Sequence, residues 1–227
     1  MRFKLETHMH TLESSACGHV LAKDQVSQYI ENGYSGIIVT DHFVNGNSAV
    51  DRSLPWNLQM KQQFAGFRNA YKASLGTGFK VYEGTEFAYN GTEFIVIGLH
   101  EKWFTDNPSV ATMRPEEFLP IFRNEGAAII QAHPFRRESY IKKIRLYPEL
   151  VDAIEVFNLG NRDDSWNQEA LELAKKHNKP CTAGSDCHYI GRLGAGILLD
   201  EMPDNEDELA SVIKSGEGWE IFGDRFN

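Results

Sequence analysis

Residues 2–11 read RFKLETHMHT, a β-type run that ends in two histidines separated by one residue. In an extended chain, residues i and i+2 point to the same side, so His8 and His10 can bind one metal ion together. A single His-x-His pair is weak support for a metal site, because a lone histidine is more often a hydrogen-bonded core or surface residue. The rest of the chain decides between these two interpretations.

The segments that follow alternate between β-type and helical periodicity. Short apolar runs predict strands at 2–6, 36–40, 79–84, 93–98, 127–131, 152–157, 179–183 and 195–199. Helical spacing predicts helices that end near Gly33 and Gly76, and two more at about 166–177 and 206–214. Alternating strands and helices favour a parallel sheet covered by helices, and this many strands favours a barrel. The stretch 45–57 has no period, and we expect a long loop near the site.

The composition is that of an ordinary globular chain, with 227 residues, 41% hydrophobic and 24% charged. We expect one domain over residues 1–227. No stretch approaches the roughly 20 apolar residues of a membrane span. The first residues lack a secretory signal, and three cysteines fit a reducing compartment, so we expect a cytoplasmic protein without membrane contact. A net charge of -9 disfavours nucleic acid and favours a small-molecule substrate.

Side chains of metal-binding type follow most of the predicted strands. The candidate ligands are His8, His10, His42, Glu86, His133, Asp186 and His188. The carboxyl ends of parallel barrel strands meet on one face, where active sites are built from several loops. Seven ligands exceed the needs of one ion and indicate two or three divalent metal ions, for which zinc, manganese and iron are comparably suited.

Six motifs occur in order along the chain: ETHMHT, VTDH, GTEF, QAHPFR, IEVFN and GSDCH. In this order and at these separations they resemble the successive motifs of the PHP (polymerase and histidinol phosphatase) superfamily. The resemblance extends over residues 6–188. It implies an α/β fold, a distorted (β/α)7 barrel with the metal site at the carboxyl ends of its strands, and the activity of a stand-alone metal-dependent phosphoesterase.

The resemblance also implies how the ligands are shared among the metals. His8, His10 and Asp186 would hold the first metal. Glu86 would bridge two metals and His133 would complete the second site. His42 and His188 would hold the third.

Two positions depart from the family pattern. Where many members bind the third metal through an acidic residue or a histidine, this chain offers Cys17, or Glu13 as another possibility. Cys17 would be either a thiolate ligand that favours zinc or a small residue without chemical role, and of these we favour the second. Where many members carry a ligand histidine within EFIVIG, this chain has Ile95. The second metal would then keep a water or take another side chain.

The expected reaction is the hydrolysis of a small phosphorylated metabolite. Divalent ions lower the pKa of a bound water and neutralise charge that develops on a phosphoryl group. We assign Asp186 and His188 as catalytic residues. Arg136 and Asn158 are the expected substrate-binding residues, since a planar guanidinium matches phosphate geometry.

Other roles remain open for some of these residues. Arg136 has a surface ion pair with Glu138 as its alternative. Asp41 is expected to orient the neighbouring His42 imidazole. Glu155, inside a predicted strand, is expected to be structural.

Two other functions also remain open. An amidohydrolase barrel likewise begins with His-x-His, but it needs a metal-bridging lysine on a middle strand, and residues 127–134 (AAIIQAHP) offer none. A non-catalytic metal-binding regulatory domain is the other possibility, although it does not require a ligand set this complete.

Overall fold

The computed structural model describes residues 2–223, which form one mixed sheet of nine strands curled into a nearly closed barrel. The strands are β1 (Phe3–Met9), β2 (Gly36–Val39), β3 (Lys80–Tyr89), β4 (Thr92–Ile97), β5 (Ala128–Ala132), β6 (Ala153–Asn158), β7 (Cys181–Gly184), β8 (Ala195–Leu199) and β9 (Trp219–Gly223). The helices are α1 (Ala22–Glu31), α2 (Trp56–Gln63), α3 (Ala65–Ser74), α4 (Glu101–Asp106), α5 (Pro115–Asn124), α6 (Asp164–Lys176) and α7 (Glu206–Ser215), with a 3₁₀ helix at Pro108–Thr112. Across the sheet the order is β7-β6-β5-β4-β3-β2-β1-β8-β9.

The first eight strands lie where the sequence pattern predicts them, although β1 and β3 continue further toward the site. The pattern does not predict β9, a largely half-exposed edge strand, or the helices between β4 and β5. Part of the expected loop at 45–57 is helical, because α2 begins at Trp56. No helix within residues 2–223 has the length and apolar character needed to cross a membrane.

The expectation of a parallel sheet is wrong at two of the eight predicted strands, β4 and β8. β4 runs antiparallel to β3 and β5, β8 runs antiparallel to β1, and β9 to β8. Asn90 and Gly91 connect β3 to β4 in a two-residue turn with φ of 49° and 80°, the left-handed conformation that an Asn-Gly hairpin adopts. A hairpin therefore replaces one crossover helix, and the count of seven strand–helix units is not confirmed.

The junction of β7 with β1 is held by single contacts instead of a ladder in the described part of the chain. Thr7 Oγ1 donates a hydrogen bond to the Ala183 carbonyl over 2.7 Å. A single bridge joins Met9 to Cys187, and the His10 amide donates to the Cys187 carbonyl over 3.0 Å. These contacts place the end of β1 beside the segment that follows β7.

An apolar interior fills the barrel below the site. Leu5, Ile38, Tyr82 and Ile95 belong to this cluster, together with other apolar side chains of β5 and β8. Helix α7 closes the far end by packing Leu209, Ala210 and Ile213 against the same cluster. Buried polar side chains therefore collect at the opposite end, where the parallel strands terminate.

Candidate metal centre

The structure brings all seven predicted ligands to one end of the barrel. His42, His133 and Asp186 lie just past β2, β5 and β7, as predicted. His8 and Glu86, in contrast, lie inside β1 and β3 rather than past their ends, because both strands are longer than the sequence pattern predicts. His188 is the most accessible of the seven, with 21% of its side chain exposed, and the others are buried.

A bulge in β1 aims the two histidines of the opening motif into the barrel. The β1–β2 register shifts between Glu6 and Met9. Leu5 belongs to the interior cluster and Met9 to a cluster on the outside, against α1. A one-residue shift lets His8 and His10 share the interior side with Leu5, which strict alternation would forbid.

Four buried atoms at the centre of the cluster have no hydrogen-bond partner among the described residues. They are His8 Nε2, His10 Nε2, His42 Nδ1 and Glu86 Oε2. His42 Nδ1 lies 2.7 Å from Glu86 Oε2, but the two do not form a hydrogen bond of normal geometry. Buried polar atoms without partners are costly, and their convergence fits a bound cation.

Ligand atoms lie close enough together to surround more than one ion. Four triplets each have their atoms within 4.8 Å of one another: His8, His10 and Glu86; His8, His133 and Asp186; His42, Glu86 and Glu93; and His10, His42 and His188. Imidazole nitrogens and carboxylate oxygens are ligands shared by zinc, manganese and iron. The donor set therefore fits the divalent cluster that the sequence predicts.

Glu155 holds the His8 ring in the orientation that a ligand needs. Its Oε1 lies 2.9 Å from His8 Nδ1, and its Oε2 accepts hydrogen bonds from the His133 amide and Asn158 Nδ2. A carboxylate can only accept, so the proton sits on Nδ1 and leaves Nε2 free to face the cluster. Glu155, expected to be merely structural, is thus a positioning residue. No sequence signal marks this role beyond an acidic residue in an apolar strand.

Asp41 orients His10 and not, as expected, His42. Its carboxylate accepts hydrogen bonds from Thr11 and from Ser15 Oγ, the latter over 2.6 Å. Ser15 Oγ in turn lies 3.1 Å from His10 Nδ1. Since the serine proton is used toward Asp41, His10 donates from Nδ1 and its Nε2 faces the cluster. His42 instead points Nδ1 at Glu86.

Cys17 lies at the mouth of the cluster, against His188. Its sulfur is 3.0 Å from His188 Nε2, while His188 Nδ1 is 2.7 Å from the Asp186 carbonyl. Burial opposes thiolate formation, yet hydrogen bonds with His188 and His42 lower the pKa of Cys17 to about 7. The expectation that Cys17 has no chemical role is not supported by this position. Glu13, the other possibility, lies elsewhere and accepts hydrogen bonds from the α1 amide of Ala22.

Glu93 is a candidate ligand that the sequence reasoning missed. It is buried, with Oε1 3.5 Å from His42 Nδ1 and Oε2 3.5 Å from His133 Nε2. Burial and the neighbouring Glu86 carboxylate raise the pKa of Glu93. Ile95 lies two residues further along β4, in the apolar interior. Glu93 is thus the other side chain available to a second metal that lacks a histidine at Ile95.

Neighbouring cationic side chains favour the ionised forms of Glu86 and Asp186. Although burial opposes ionisation, His42 and His8 hold the pKa of Glu86 well below its ordinary value. His8 and Arg136 do the same for Asp186.

Two ligand candidates also have strained backbone, since His133 has a φ of 27° and Asp186 a φ of 50°. Positive φ at non-glycine residues is uncommon and is concentrated at functional sites.

Arg136 lies against the cluster, and its expected alternative pairing with Glu138 is not observed. Its Nη2 donates to Asp186 Oδ2 over 2.7 Å and to Asn158 Oδ1 over 2.8 Å, and its Nε donates to Asn161 Oδ1 over 3.0 Å. Glu138 pairs with Arg162 instead. Asn158 is buried, and both ends of its amide are engaged, so its geometry favours support of Arg136 and Glu155.

Two cavities open from the cluster. The larger, about 960 Å³, contains His42, Asp186 and His188 at its inner end and Lys142 and Arg145 among its other lining residues. The second, about 600 Å³, shares Arg136, Tyr140, Asp186 and His188 with the first and continues toward Arg162 and Arg192. Both volumes lie in the range of small-molecule sites.

Comparisons with known proteins agree with this architecture. Residues 164–217 match the family described as PHP-associated. An alignment of 127 positions, which covers 52% of the chain, gives 36% identity to an uncharacterised protein of Methanocaldococcus jannaschii. The match spans about half of that protein, 51% of its length.

Solved structures share the fold at low sequence identity. A two-domain protein from Bacteroides vulgatus, containing a predicted PHP-like metal-dependent phosphoesterase, matches with a TM-score of 0.71 and 15% identity over 98% of this chain and 65% of that one. An amidohydrolase from Chromobacterium violaceum, with bound sulfate and no metal, matches with a TM-score of 0.54 and 13% identity over 99% of this chain and all of that one, 100%. At such identities the likeness concerns the fold alone.

Proposed function

Because the chain belongs to the PHP superfamily, we propose that it is a metal-dependent phosphoesterase that hydrolyses a small phosphorylated metabolite. One observation carries this proposal. Four buried ligand atoms without a hydrogen-bond partner among the described residues converge beside a cavity that His42, the owner of one of them, lines together with Arg136. Metal ions at the cluster and the Arg136 guanidinium beside them could each bind oxygens of the same phosphate group.

The proposed ligands follow the seven predicted from the sequence, with two additions. Glu93 would join Glu86 and His133, and Cys17 would join His42 and His188. Bound divalent ions would supply a Lewis acid and a lowered pKa for water at this site.

The other residues would act on the substrate or on the ligands. Arg136, held by Asn158 and Asn161, would bind phosphate oxygens. Glu155 and the Ser15–Asp41 pair would keep His8 and His10 in the ligand tautomer. Asp186 and His188, the assigned catalytic pair, line both cavities and would contact the reacting end of the substrate. The buried walls would limit the access of bulk water.

The amidohydrolase alternative has the same fold but less support from this site. A carboxylate, Glu86, occupies the centre of the cluster, where a lysine bridge would be expected. Arg136 and the basic side chains of the larger cavity favour an anionic ester over a neutral amide. The third possibility, a regulatory domain that binds metal without catalysis, predicts metal-loaded protein that hydrolyses no ester.

The test is phosphate release from sugar phosphates, glycerol phosphate and nucleotides by protein loaded with manganese or zinc. Glu86→Gln should lose bound metal and phosphate release together. Glu13→Gln is the matched control, since the Glu13 carboxylate accepts hydrogen bonds from the first amide of α1, and this variant should retain both. Hydrolysis of amides alone would favour the amidohydrolase, and metal-loaded protein inactive on every compound would favour the regulatory domain.

A further inference from the structure

The loop between β5 and β6 has a charge opposite to that of the whole protein. Residues 134–150 contain five of the chain's 23 lysines and arginines but only two of its 32 acidic residues. Between Ala132 and Ala153 this loop contains no helix or strand. Loops of this length without regular structure are uncommon in compact domains and are usually functional.

Two of the loop's cations face the larger cavity without a carboxylate partner. Lys142 and Arg145 line that cavity, and in the described part of the chain neither forms an ion pair. The remaining arginines differ, because Arg136 pairs with Asp186 and Arg137 with Glu169. A cation left unpaired in a protein with a net charge of -9 is available for an anionic ligand.

The loop is fixed at Arg145 through both its backbone and its side chain. The buried Gln131 side chain donates to the Arg145 carbonyl over 2.7 Å and accepts from the Tyr147 amide over 2.9 Å. The Arg145 guanidinium donates to the Asn90 carbonyl over 3.2 Å and lies 5.8 Å from the centre of the Tyr89 ring.

Lys142 is anchored through its neighbour. Ile141 packs so closely on the β3–β4 turn that a Cβ at Gly91 would lie 3.1 Å from Ile141 Cγ1. The position of the cationic side of the cavity is therefore set by the fold.

We propose that Lys142 and Arg145 bind a second anionic group of the substrate, so that the preferred substrates are phosphate esters that also carry another phosphate or a carboxylate. This inference rests on the proposed function, in which the scissile phosphate lies beside Arg136. The cavity of about 960 Å³ has room for more than one phosphate group. Its cationic lining residues supply charge-assisted hydrogen bonds to the far group.

The experiment compares substrates that differ by one anionic group. Fructose 1,6-bisphosphate is set against fructose 6-phosphate, and 3-phosphoglycerate against glycerol 3-phosphate. For metal-loaded protein, KM should be about tenfold lower for the doubly anionic member of a pair, the effect of one charge-assisted contact. In Lys142→Gln and in Lys142→Gln/Arg145→Gln this preference should shrink toward unity. Lys143→Gln is the matched control, because Lys143 does not line the cavity, and it should keep the wild-type preference.

Calorimetric binding of the same compounds separates this inference from the proposed function. If no ester is hydrolysed but the preference is present in binding and depends on Lys142, the reaction is wrong and the second anion site stands. If phosphate is released with the same preference in wild type and in both Gln variants, the second site is wrong and the phosphoesterase stands. An equal loss in Lys143→Gln would also overturn the inference, since it would show a non-specific charge effect. Among the described residues Lys142 is exposed and its side chain forms no ion pair, so a negative result with Lys142→Gln is interpretable.

Discussion

The Cys17 sulfur lies 3.0 Å from Nε2 of His188. Because the Asp186 carbonyl accepts the hydrogen bond at Nδ1 of the same ring, Nε2 has its lone pair toward the sulfur. An imidazole lone pair and a thiol side by side, with His42 adjacent, form a nitrogen and sulfur donor set of the kind that zinc and cobalt bind.

Cobalt-loaded protein should therefore show a sulfur-to-cobalt charge-transfer absorption in the near ultraviolet. Cys17→Ser should lose this band, because the oxygen of serine does not give that transition. Cys181→Ser, at the start of β7, is the control and should keep it. A band that persists in Cys17→Ser would remove Cys17 from the ligand set. This measurement does not depend on knowing the substrate.

Glu155→Gln should weaken metal binding by about 10- to 100-fold, the usual cost of losing a carboxylate that orients a ligand histidine. Glutamine can donate at the position where Glu155 now accepts from His8 Nδ1, so the ring loses its fixed tautomer. Competition with a chelator of known affinity measures the effect. Glu149→Gln, which alters an exposed partner of His177, should leave the affinity unchanged. Equal affinities in both variants would contradict the positioning role.

Gly184→Ala should destabilise the fold by about 1–3 kcal/mol, the usual cost of overpacking a well-filled interior. A Cβ at this position would lie 2.5 Å from the Cβ of His8 and 2.8 Å from Glu155 Oε1. Neither atom can move without disturbing the cluster, so metal affinity should fall as well. Urea unfolding of the metal-free protein measures the first effect and chelator competition the second. An unchanged unfolding midpoint would contradict the predicted overpacking between Gly184 and His8.

The stabilising effect of His100 should depend on pH. Its Nδ1 lies 3.0 Å from Glu83 Oε2, and the hydrogen bond with Glu83 raises the pKa of His100 although partial burial opposes it. The folded-state pKa then exceeds the unfolded value of about 6.5. The charged pair stabilises the fold below the unfolded value, and this contribution is lost as pH rises through the folded value.

His100→Gln should therefore reduce the free energy of unfolding more at pH 5.5 than at pH 8.5. The difference should stay below about 1 kcal/mol, since the side chain is half exposed and solvent screens the pair. Urea titrations of both proteins at the two pH values provide the comparison. An equal or larger effect of the substitution at pH 8.5 would contradict the assignment.

Prediction from sequence succeeds where the chain runs parallel to its neighbours. His42, His133 and Asp186 each follow a parallel strand, so the rule that carboxyl ends meet on one face places them correctly. The rule does not find Glu93, because β4 runs antiparallel to β3 and β5. The beginning of β4, where Glu93 lies, is therefore at the same edge of the sheet as the ends of β3 and β5. The Asn90–Gly91 pair is a hairpin signal that could have revealed this reversal.

The supporting residues are harder to predict. Glu155 and His8 are 147 positions apart, and Arg145 is held by Gln131 of β5 and by Asn90 of the β3–β4 turn. Contacts of this kind depend on the closed barrel, and local sequence patterns do not record them. The bulge in β1 is a further example, since it changes which side chains face inward without any glycine or proline to mark it.

In the described part of the chain, β7 and β1 are joined by single contacts and not by a continuous ladder of backbone hydrogen bonds. The proposed ions would therefore also hold these two strands together. An ion shared by His10 and Asp186 would act as a reversible cross-link between the first strand and the segment after the seventh. Cross-links that close long loops remove much of the conformational entropy of the unfolded chain. Metal binding would then stabilise the junction between β1 and the segment after β7, and removal of the metal by a chelator would weaken the barrel at this junction.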